Sequence, residues 1–549
     1  MTSRLRYLLI VPPFIFVGIF FFYPLFNIFC ISFSDPASRI VETLLKLLET
    51  PYFRQVLWFT TWQAGLSTLI TLIIAFPGAY VFSQYQFRGK SLIRALMLIP
   101  FVLPTMVTAA AFKALLGSRG VINTGLMFFL NLDQPPIHLD QTVYCVLMAH
   151  VFYNYAIVFR LVSGFWERCP KDLPEASQML GASGLKTFFK VTLPILTPVI
   201  LAASLLVFVF CFTSFGVILI LGGPRLATIE VEIYRQAVHL FNLPRAAVVS
   251  LIQIVFTFIC MRAYTEIESR SGVSLMPEMT VTRTSFSGRP LKSNFFVWIT
   301  VGLLFFLLGS PLIALFIESI LTENGFSLKY YIALFNNDSR SIMFVPPLTA
   351  MINSIFFALS TTVMAVIMGW FTAAFLYRDT QGKASVIDSM FMLPLSTSAV
   401  TLGFGFIVAF DSPPLNIRTS IALPVFAHTL IAYPFVIRSL LPAWRSIPKC
   451  LREAAAISGA SPWEVWCHVD WPILKRALLV GAVFSFAVSM GEFGATVFIA
   501  RPQTPTMPLA IYRFFSLPGA MNYGQAMAMA CILMVITALG GVVIERMAH

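Results

Sequence analysis

Long apolar runs separated by short polar connections extend from one end of the chain to the other. A helix that crosses a membrane needs about 20 mostly apolar residues. Six such runs precede a polar segment at 262–294 and six follow it. They lie at residues 7–33, 57–82, 92–116, 142–163, 193–221, 245–264, 295–317, 346–376, 386–410, 419–441, 474–500 and 524–544. The pattern predicts an all-α polytopic membrane protein with twelve transmembrane helices.

The two halves of the chain repeat each other. Residues 173–196 read LPEASQMLGASGLKTFFKVTLPIL and residues 451–474 read LREAAAISGASPWEVWCHVDWPIL, so the stretches align without a gap at an offset of 278. The same offset recurs outside them, in the pairs His150 and His428, Phe215 and Phe493, and Tyr234 and Tyr512. The chain is therefore an internal duplication.

This duplication predicts the domain organisation. The first half occupies 1–261 with its repeated loop at 165–193, and the second half occupies 295–549 with its loop at 443–472. Between them, 262–294 is rich in Ser, Thr and Arg and lacks helical periodicity, which is typical of a linker. Because six helices precede the linker and six follow it, the halves are parallel repeats about an axis along the membrane normal.

The repeated stretch has the local chemistry of two short helices outside the membrane. In the second copy, residues 451–458 are rich in helix formers and Gly459 is suited to a left-handed cap. Ser461 and Glu464 have the spacing of a capping box at the start of the second helix. We expect Pro472 to end that helix before the next apolar run begins.

Composition and charge narrow the class of protein further. Hydrophobic residues make up 58% of the chain, charged residues 11%, and the mean hydropathy is +0.83, which excludes a water-soluble globular domain. The formal charge of +13 is scattered over short connections, so it indicates topology rather than nucleic-acid binding. If the N-terminus is cytoplasmic, 24 of the 37 basic residues lie on the cytoplasmic side and 13 on the other. Both repeated loops and the C-terminus then also face the cytoplasm.

The repeated loops resemble a known family. The order Glu-Ala-Ala, then Gly, then Trp-Pro or Leu-Pro is found at Glu453-Ala454-Ala455, Gly459 and Trp471-Pro472, and at Glu175-Ala176-Ser177, Gly181 and Leu193-Pro194. This order resembles the EAA loop of permease subunits of type I bacterial ABC importers that work with an extracytoplasmic solute-binding protein. Two halves fused in one polypeptide look most like the ferric-iron and thiamine permease group. Ser177 departs from the second Ala of the motif.

The resemblance implies a division of labour among partners. Each EAA loop forms a coupling helix that docks on one of two copies of a cytoplasmic ABC ATPase. The implied docking residues are Glu175, Ala176, Gly181, Glu453, Ala454, Ala455 and Gly459. ATP and Mg belong to the ATPase, and this chain binds no cofactor and catalyses no reaction. The halves alternate between inward-open and outward-open states in the bacterial inner membrane, moving ferric iron, thiamine or another small solute.

Glu492 is an ionisable residue inside an apolar run, and such residues are functional-site candidates by default. One interpretation places it on the translocation path of a cationic solute, together with Ser214, Phe215 and Phe493. The alternative is a buried carboxylate bonded to helix backbone or to Arg501. Its repeat counterpart is Ser214, so any such site is asymmetric.

Other features favour structural roles. Gly89-Lys90-Ser91 matches the end of a phosphate-binding loop, but Gln84 stands where that motif needs Gly and no strand precedes it. His150 and His428 are expected to make repeat-related hydrogen bonds, and the aromatic-rich segment 14–23 to face lipid. The eight cysteines form no CxxC pair, so neither a disulfide framework nor a metal site is predicted.

Two rival functions fit twelve membrane helices. A proton-coupled secondary transporter of the major facilitator type also has two parallel six-helix halves, but it would usually carry more membrane-buried charges than Glu492 alone. A membrane enzyme would need clustered His, Asp or Glu. The six histidines, at 138, 150, 239, 428, 468 and 549, form no such group in the sequence.

Overall fold

The computed structural model describes residues 3–32, 49–87, 89–170, 172–271, 289–290, 295–335, 346–378, 384–411, 413–501 and 503–548. In these ranges, ten helices are long and apolar enough to cross a membrane, and two bent helix pairs bring the number of spans to twelve. The predicted all-α polytopic fold is confirmed, and the predicted count of twelve, six in each half, is reached when each bent pair is counted as one span.

The first half consists of helices joined by short connections. They are α1 Ser3–Val17, a π-turn Gly18–Phe22, α2 Tyr23–Ser32, α3 Pro51–Gln84, α4 Lys90–Val102, α5 Thr105–Leu116, α6 Val121–Leu130, α7 Val143–Arg168, α8 Asp172–Met179, α9 Gly184–Thr187, a π-turn Phe188–Thr192, α10 Leu193–Phe212, α11 Gly216–Leu221, α12 Ile229–Tyr234, a π-turn Arg235–His239 and α13 Leu243–Ser271.

The second half repeats this order. It contains α14 Phe295–Ile320, α15 Lys329–Ala333, α16 Pro347–Arg378, α17 Ala384–Ser396, α18 Ala399–Phe410, α19 Ala422–Arg445, α20 Lys449–Ile457, α21 Pro462–Val465, a π-turn Trp466–Asp470, α22 Trp471–Gly491, α23 Thr496–Ile499, α24 Met507–Ser516 and α25 Ala520–Ala548. Strands β1 Tyr85–Gln86 and β2 Arg289–Pro290 pair in parallel, and β3 Leu321–Thr322 pairs antiparallel with β4 Gly325–Phe326.

The third span of each half is broken, whereas the sequence predicts straight helices at 92–116 and 386–410. The two segments meet at 101° in the first half and at 94° in the second. In the first half the break falls at Leu103, which is extended at ψ 137° because it precedes Pro104. In the second half it falls at Ser398, whose hydroxyl accepts the N–H groups of Val400 and Thr401 at the start of α18.

The fifth span of each half also ends earlier than predicted. Runs 193–221 and 474–500 are expected from the sequence to be single helices, but α10 ends at Phe212 and α22 ends at Gly491. A short helix follows each break, α11 after the first and α23 after the second. Hydropathy alone cannot locate such breaks, because each adds only one or two polar residues to an otherwise apolar run.

The predicted break at Pro472 is wrong. Trp471 N–H bonds to the carbonyl of Trp466 across a π-turn, and Leu193 N–H bonds to the carbonyl of Phe188 in the same way. The wider turn accommodates a proline that would otherwise lack its helical hydrogen bond. Residues 462–491 therefore form one continuous span, as do residues 184–212.

The linker is partly helical. Helix α13 continues to Ser271, ten residues beyond the predicted end of the first half at 261. Residues 272–288 and 291–294 lie outside the described residues. The pairing of β2 with β1 brings the later part of the linker against the turn after α3.

The first spans are exchanged between the halves. Helices α1 and α2 pack against α16 and α18 of the second half, while α14 packs against α5 of the first. Phe20 packs on Phe426 with ring centroids 4.4 Å apart, and Phe16 is buried. Segment 14–23 therefore packs partly against the second half, which corrects the expectation that it faces lipid. Large side chains exposed on the outside, such as Phe306 and Val363, form the membrane-facing surface.

Candidate translocation path and docking loops

Each repeated loop folds as a short helix that ends at a left-handed glycine. Gly181 follows α8 at φ +83° and Gly459 follows α20 at φ +86°. Ala182 N–H bonds to the carbonyl of Ser177 at 3.1 Å, and Ala460 N–H bonds to the carbonyl of Ala455 at 3.1 Å. These bonds satisfy carbonyls that the end of a helix would otherwise leave without partners.

The second helix of each loop begins at a serine. Ser461 accepts the N–H of Glu464 at 3.3 Å, and the Glu464 carboxylate accepts Ser461 N–H at 2.7 Å. This is the capping box that the sequence predicts. In the first half Ser183 accepts the N–H of Lys186. The two loops therefore have the same backbone design.

Both loops present an open surface. None of the described residues of α8 or α20 is buried, and Met179, Leu180 and Ile457 are 89%, 89% and 88% exposed. Glu175 and Glu453 are exposed, and neither carboxylate bonds to another of the described residues. An apolar patch with an unused carboxylate is typical of a surface that binds another protein.

The loops are anchored to the membrane helices in different ways. Arg452 on α20 donates to Asp470 at 2.7 Å and to the hydroxyl of Tyr377 at the end of α16. In the first half, Ser177 and Thr187 form a hydroxyl bond of 3.1 Å within the loop. The loop of the second half is therefore held to two spans by a partly buried ion pair and a neighbouring ring.

Phe215 and Phe493 meet where the fifth spans of the two halves break. Their rings stack at a centroid distance of 5.5 Å and an interplanar angle of 19°. Tyr234 packs on Phe215 at 5.4 Å, and Tyr512 packs on Phe493 at 5.5 Å. We refer to these four side chains as the aromatic layer. All four come from repeat-related positions, so the layer lies on the axis that relates the halves.

Glu492 directly precedes the aromatic layer, and its carboxylate is fully engaged. One oxygen accepts Ala495 N–H at 2.9 Å, and the other accepts Thr496 N–H at 3.0 Å and the Thr496 hydroxyl at 2.7 Å. His428 Nε2 lies 3.5 Å from the same oxygen. The carboxylate thus caps α23, whereas Arg501 bonds through its backbone to Thr504.

The repeat-related histidines both bond to the fifth span of their own half, but their hydrogen-bond partners are not repeat-related, and only the 3.5 Å contact of His428 with Glu492 matches the bond of His150 to Ser214. His150 bonds to Ser214 through Nε2 at 2.9 Å and to Ser67 through Nδ1 at 3.0 Å. His428 bonds through Nδ1 to Ser489 at 2.7 Å. Ser214 and Glu492 occupy the same repeat position at the break of the fifth span. In each half, therefore, a histidine of the fourth span contacts the residue at that break.

Glu230 is a buried carboxylate that the sequence does not single out. Ser398 of the second half donates its hydroxyl to Glu230 at 2.7 Å, and Gln253 donates its amide to the other oxygen. Tyr234 of the aromatic layer lies one turn further along the same helix, α12. The bond from Ser398 therefore joins the two halves beside the layer. Glu230 falls in the polar run TIEVEIYR, so hydropathy gives no signal for it.

The remaining sequence motifs have structural roles. Gly89 caps α4 at φ +83°, and Lys90 and Arg94 both pair with Glu167, which explains the Gly-Lys-Ser match. Among the described residues, no three His, Cys, Asp or Glu side chains are grouped so that they could hold a metal ion.

Comparisons with known proteins give one family. The family model described as "Binding-protein-dependent transport system inner membrane component" matches residues 75–272 and again residues 367–548. The thiamine transport system permease protein ThiP of Escherichia coli K12 is 25% identical over 508 residues, 91% of this chain and 90% of its own. ThiP of Brucella abortus 2308 is 24% identical over 490 residues, 88% of this chain and 86% of its own.

A ferric-iron relative is similar to a comparable degree. The putative ferric transport system permease protein FbpB 1 of Haemophilus influenzae is 23% identical over 509 residues, 90% of this chain and 78% of its own. The solved structure of a bacterial ABC transporter that imports alginate aligns with 49% of this chain and 96% of its own, at 18% identity and a TM-score of 0.43. With two copies of the family domain over most of its length, this chain belongs to the inner-membrane components of binding-protein-dependent ABC importers.

Proposed function

We propose that this chain forms the complete solute path of an ABC importer, with each repeated loop docked on one of two ATPase copies. The aromatic layer closes the path, which passes between the repeat-related breaks at Ser214-Phe215 and Glu492-Phe493. In the arrangement described, Phe215 and Phe493 are 6% and 2% exposed, so the layer is shut. Glu492 holds the backbone that carries Phe493.

One observation carries this proposal. The second helix of each docking loop continues without a break into the helix that ends at the aromatic layer, through 184–212 in the first half and 462–491 in the second. At about 1.5 Å per residue, such a helix reaches about 43 Å. A displacement of the loop is transmitted along a rigid rod to the layer, which opens or closes as the two rods rock.

The relatives indicate the solute class and the location. Thiamine and ferric iron are the solutes named for them, and both are cationic. We propose a cationic solute delivered by a solute-binding protein on the outside of the bacterial inner membrane. The repeated loops and both termini then face the cytoplasm, in agreement with the basic residues of the connections.

The test is purification of the chain in mild detergent from its own membranes, followed by identification of bound proteins and by reconstituted uptake. Recovery of a P-loop ATPase at two copies per chain, with thiamine or ferric-iron uptake that vanadate inhibits, is the expected result. A chain that purifies alone and drives uptake from a proton gradient would overturn the proposal in favour of a secondary transporter.

A further inference from the structure

A cavity of about 550 Å³ lies at the end of the molecule opposite the docking loops. Its walls come from both halves, namely the connection after α5, helix α6 and the connection after it in the first half, and α14, β3, α15 and α25 in the second. Cavities of this volume are typical of small-molecule sites. Members of the aromatic layer do not line it, so the cavity is separate from the path described above.

Glu318 is the central polar group of this cavity. Its side chain is 7% exposed, it lines the cavity, and it makes no hydrogen bond or ion pair with the described residues. A buried carboxylate without a partner is costly in free energy. Glu318 also lies in the last turn of α14, where the carbonyl ends of the helix disfavour a negative charge. A bound cation would compensate for both costs.

The other charged groups leave the cavity net negative. Glu323 is an exposed second carboxylate on the rim, and Arg119 is the one basic residue in the described lining, also exposed. Two carboxylates and one guanidinium give a formal charge of −1. The amino end of α25 reaches the cavity at Ala520 and offsets only part of that charge.

Two tyrosine rings make the cavity suited to an organic cation rather than to a bare metal ion. Tyr330 and Tyr523 both line it. Tyr330 is 8% exposed and lies against α25, where a Cβ at Gly524 would come within 2.3 Å of the ring. An alanine at position 524 would therefore displace the ring. Aromatic faces and a carboxylate together recognise alkylated ammonium groups.

We propose that this cavity is a binding site for a small organic cation, with Glu318 as the counter-charge and Tyr330 and Tyr523 as aromatic walls. The site does not depend on the cargo of the importer, because it lies away from the aromatic layer. It also needs neither ATP nor the docking loops, so it can be tested on this chain alone.

The experiment measures choline binding to the full-length chain in lipid nanodiscs by titration calorimetry. The uncharged isostere 3,3-dimethylbutan-1-ol serves as the comparison ligand. We expect saturable choline binding and about tenfold or weaker binding of the isostere. Glu318→Gln should weaken choline binding about tenfold or more, Tyr523→Leu should weaken it less, and Glu318→Asp should retain part of it.

Asp172→Asn is the matched control, since Asp172 is an exposed carboxylate on α8, in the docking loop at the end opposite the cavity. It should leave choline binding unchanged. Size-exclusion profiles and unfolding temperatures of the variants show whether the chain still folds. Equal affinity for choline and its isostere, parent-like binding by a folded Glu318→Gln, or no saturable binding by the parent would each overturn the proposal. If the parent shows no saturable choline binding and Glu318→Gln also captures the solute-binding protein more weakly, Glu318 instead pairs with a basic side chain of that partner.

Discussion

Phe215 and Phe493 are 278 positions apart in the sequence, and their rings stack at 5.5 Å on the axis between the two halves. An aromatic pair contributes about 0.5–1.5 kcal/mol beyond the burial of its area. Because the two rings belong to different halves, that free energy favours the closed arrangement over any state in which the halves have moved apart.

Phe493→Ala should therefore weaken the closed state. A loss of about 0.5–1.5 kcal/mol raises the open population about 2- to 12-fold. We expect ATP hydrolysis by the reconstituted complex to rise by a similar factor in the absence of solute-binding protein. Phe306→Ala is the matched control, because Phe306 is 71% exposed on the membrane-facing surface. Equal activity in the two variants would show that the aromatic layer is not a gate.

Charge reversal at the docking loops should separate the chain from its ATPase. Glu453→Arg and Glu175→Arg change carboxylates that are exposed and make no bond to other described residues, so the fold of the chain should be unaffected. We expect about tenfold or greater loss of ATPase co-purification for each variant, since repulsion would replace a charge attraction in the proposed interface.

Asp133→Arg reverses an exposed carboxylate at the opposite end of the molecule and should retain the ATPase in full. Membrane insertion is followed by fractionation in all three variants. Normal ATPase recovery with Glu453→Arg would remove the basis for docking at α20.

The left-handed glycines should control the shape of the loops. Gly459 lies at φ +86°, a conformation that costs a residue with a Cβ about 1–2 kcal/mol. Gly459→Ala should unravel the end of α20, which hydrogen exchange would detect as loss of protection at residues 458–460. ATPase binding should weaken with it.

Gly302→Ala provides the comparison, because Gly302 lies within α14 and a Cβ there would meet nothing within 4 Å. Its exchange pattern and ATPase binding should match those of the parent. Unaltered protection at the end of α20 in Gly459→Ala would mean that the cap does not need glycine.

The features that the sequence predicts well are those that depend on local chemistry or on the repeat. Apolar length determines the number of spans, and Ser461 with Glu464 forms a capping box wherever the backbone begins a helix. The offset of 278 is enough to identify Phe215 and Phe493 as repeat counterparts. Tyr234 and Tyr512 share that offset, so the repeat also contains a signal for the rest of the aromatic layer.

Features that depend on contact between the halves could not be predicted in the same way. The burial of Phe16 follows from the exchange of first spans, and an apolar ring looks the same in sequence whether it faces lipid or protein. The bond of Glu230 to Ser398 joins residues 168 positions apart that are not related by the repeat. The breaks in the third and fifth spans depend on packing and caps that hydropathy does not measure.

Glu492→Gln distinguishes a capping role from a solute-binding role. The two oxygens of the carboxylate accept the N–H groups of Ala495 and Thr496 at the start of α23, and an amide can accept at only one of them. If Glu492 acts by capping, the unfolding temperature and the maximal uptake rate should fall together, with KM for the cationic solute unchanged. A rise in KM of about tenfold at unchanged unfolding temperature would place the carboxylate in contact with the solute.

Glu230 should make the stability of the protein depend on pH. Burial raises the pKa of Glu230 from 4.5 to about 8, although the hydrogen bonds from Ser398 and Gln253 lower it. An acid with a raised pKa stabilises the fold below its unfolded pKa and loses that contribution as the pH rises through its folded pKa. Glu230 therefore makes the free energy of unfolding fall between pH 4.5 and about 8.

Glu230→Gln should remove that contribution, because the amide remains neutral at every pH while it occupies nearly the same space. The measurement is the unfolding temperature of parent and variant across this pH window. Subtracting one profile from the other removes the effect of all other titrating groups, because both proteins share them. The variant should gain stability relative to the parent toward the alkaline end. Ser398→Ala should destabilise the protein at every pH, because it removes the cap of α18, and more strongly at high pH, because it also removes a donor to the ionised carboxylate. Parallel pH profiles for parent and Glu230→Gln would mean that the carboxylate ionises as it does in the unfolded chain.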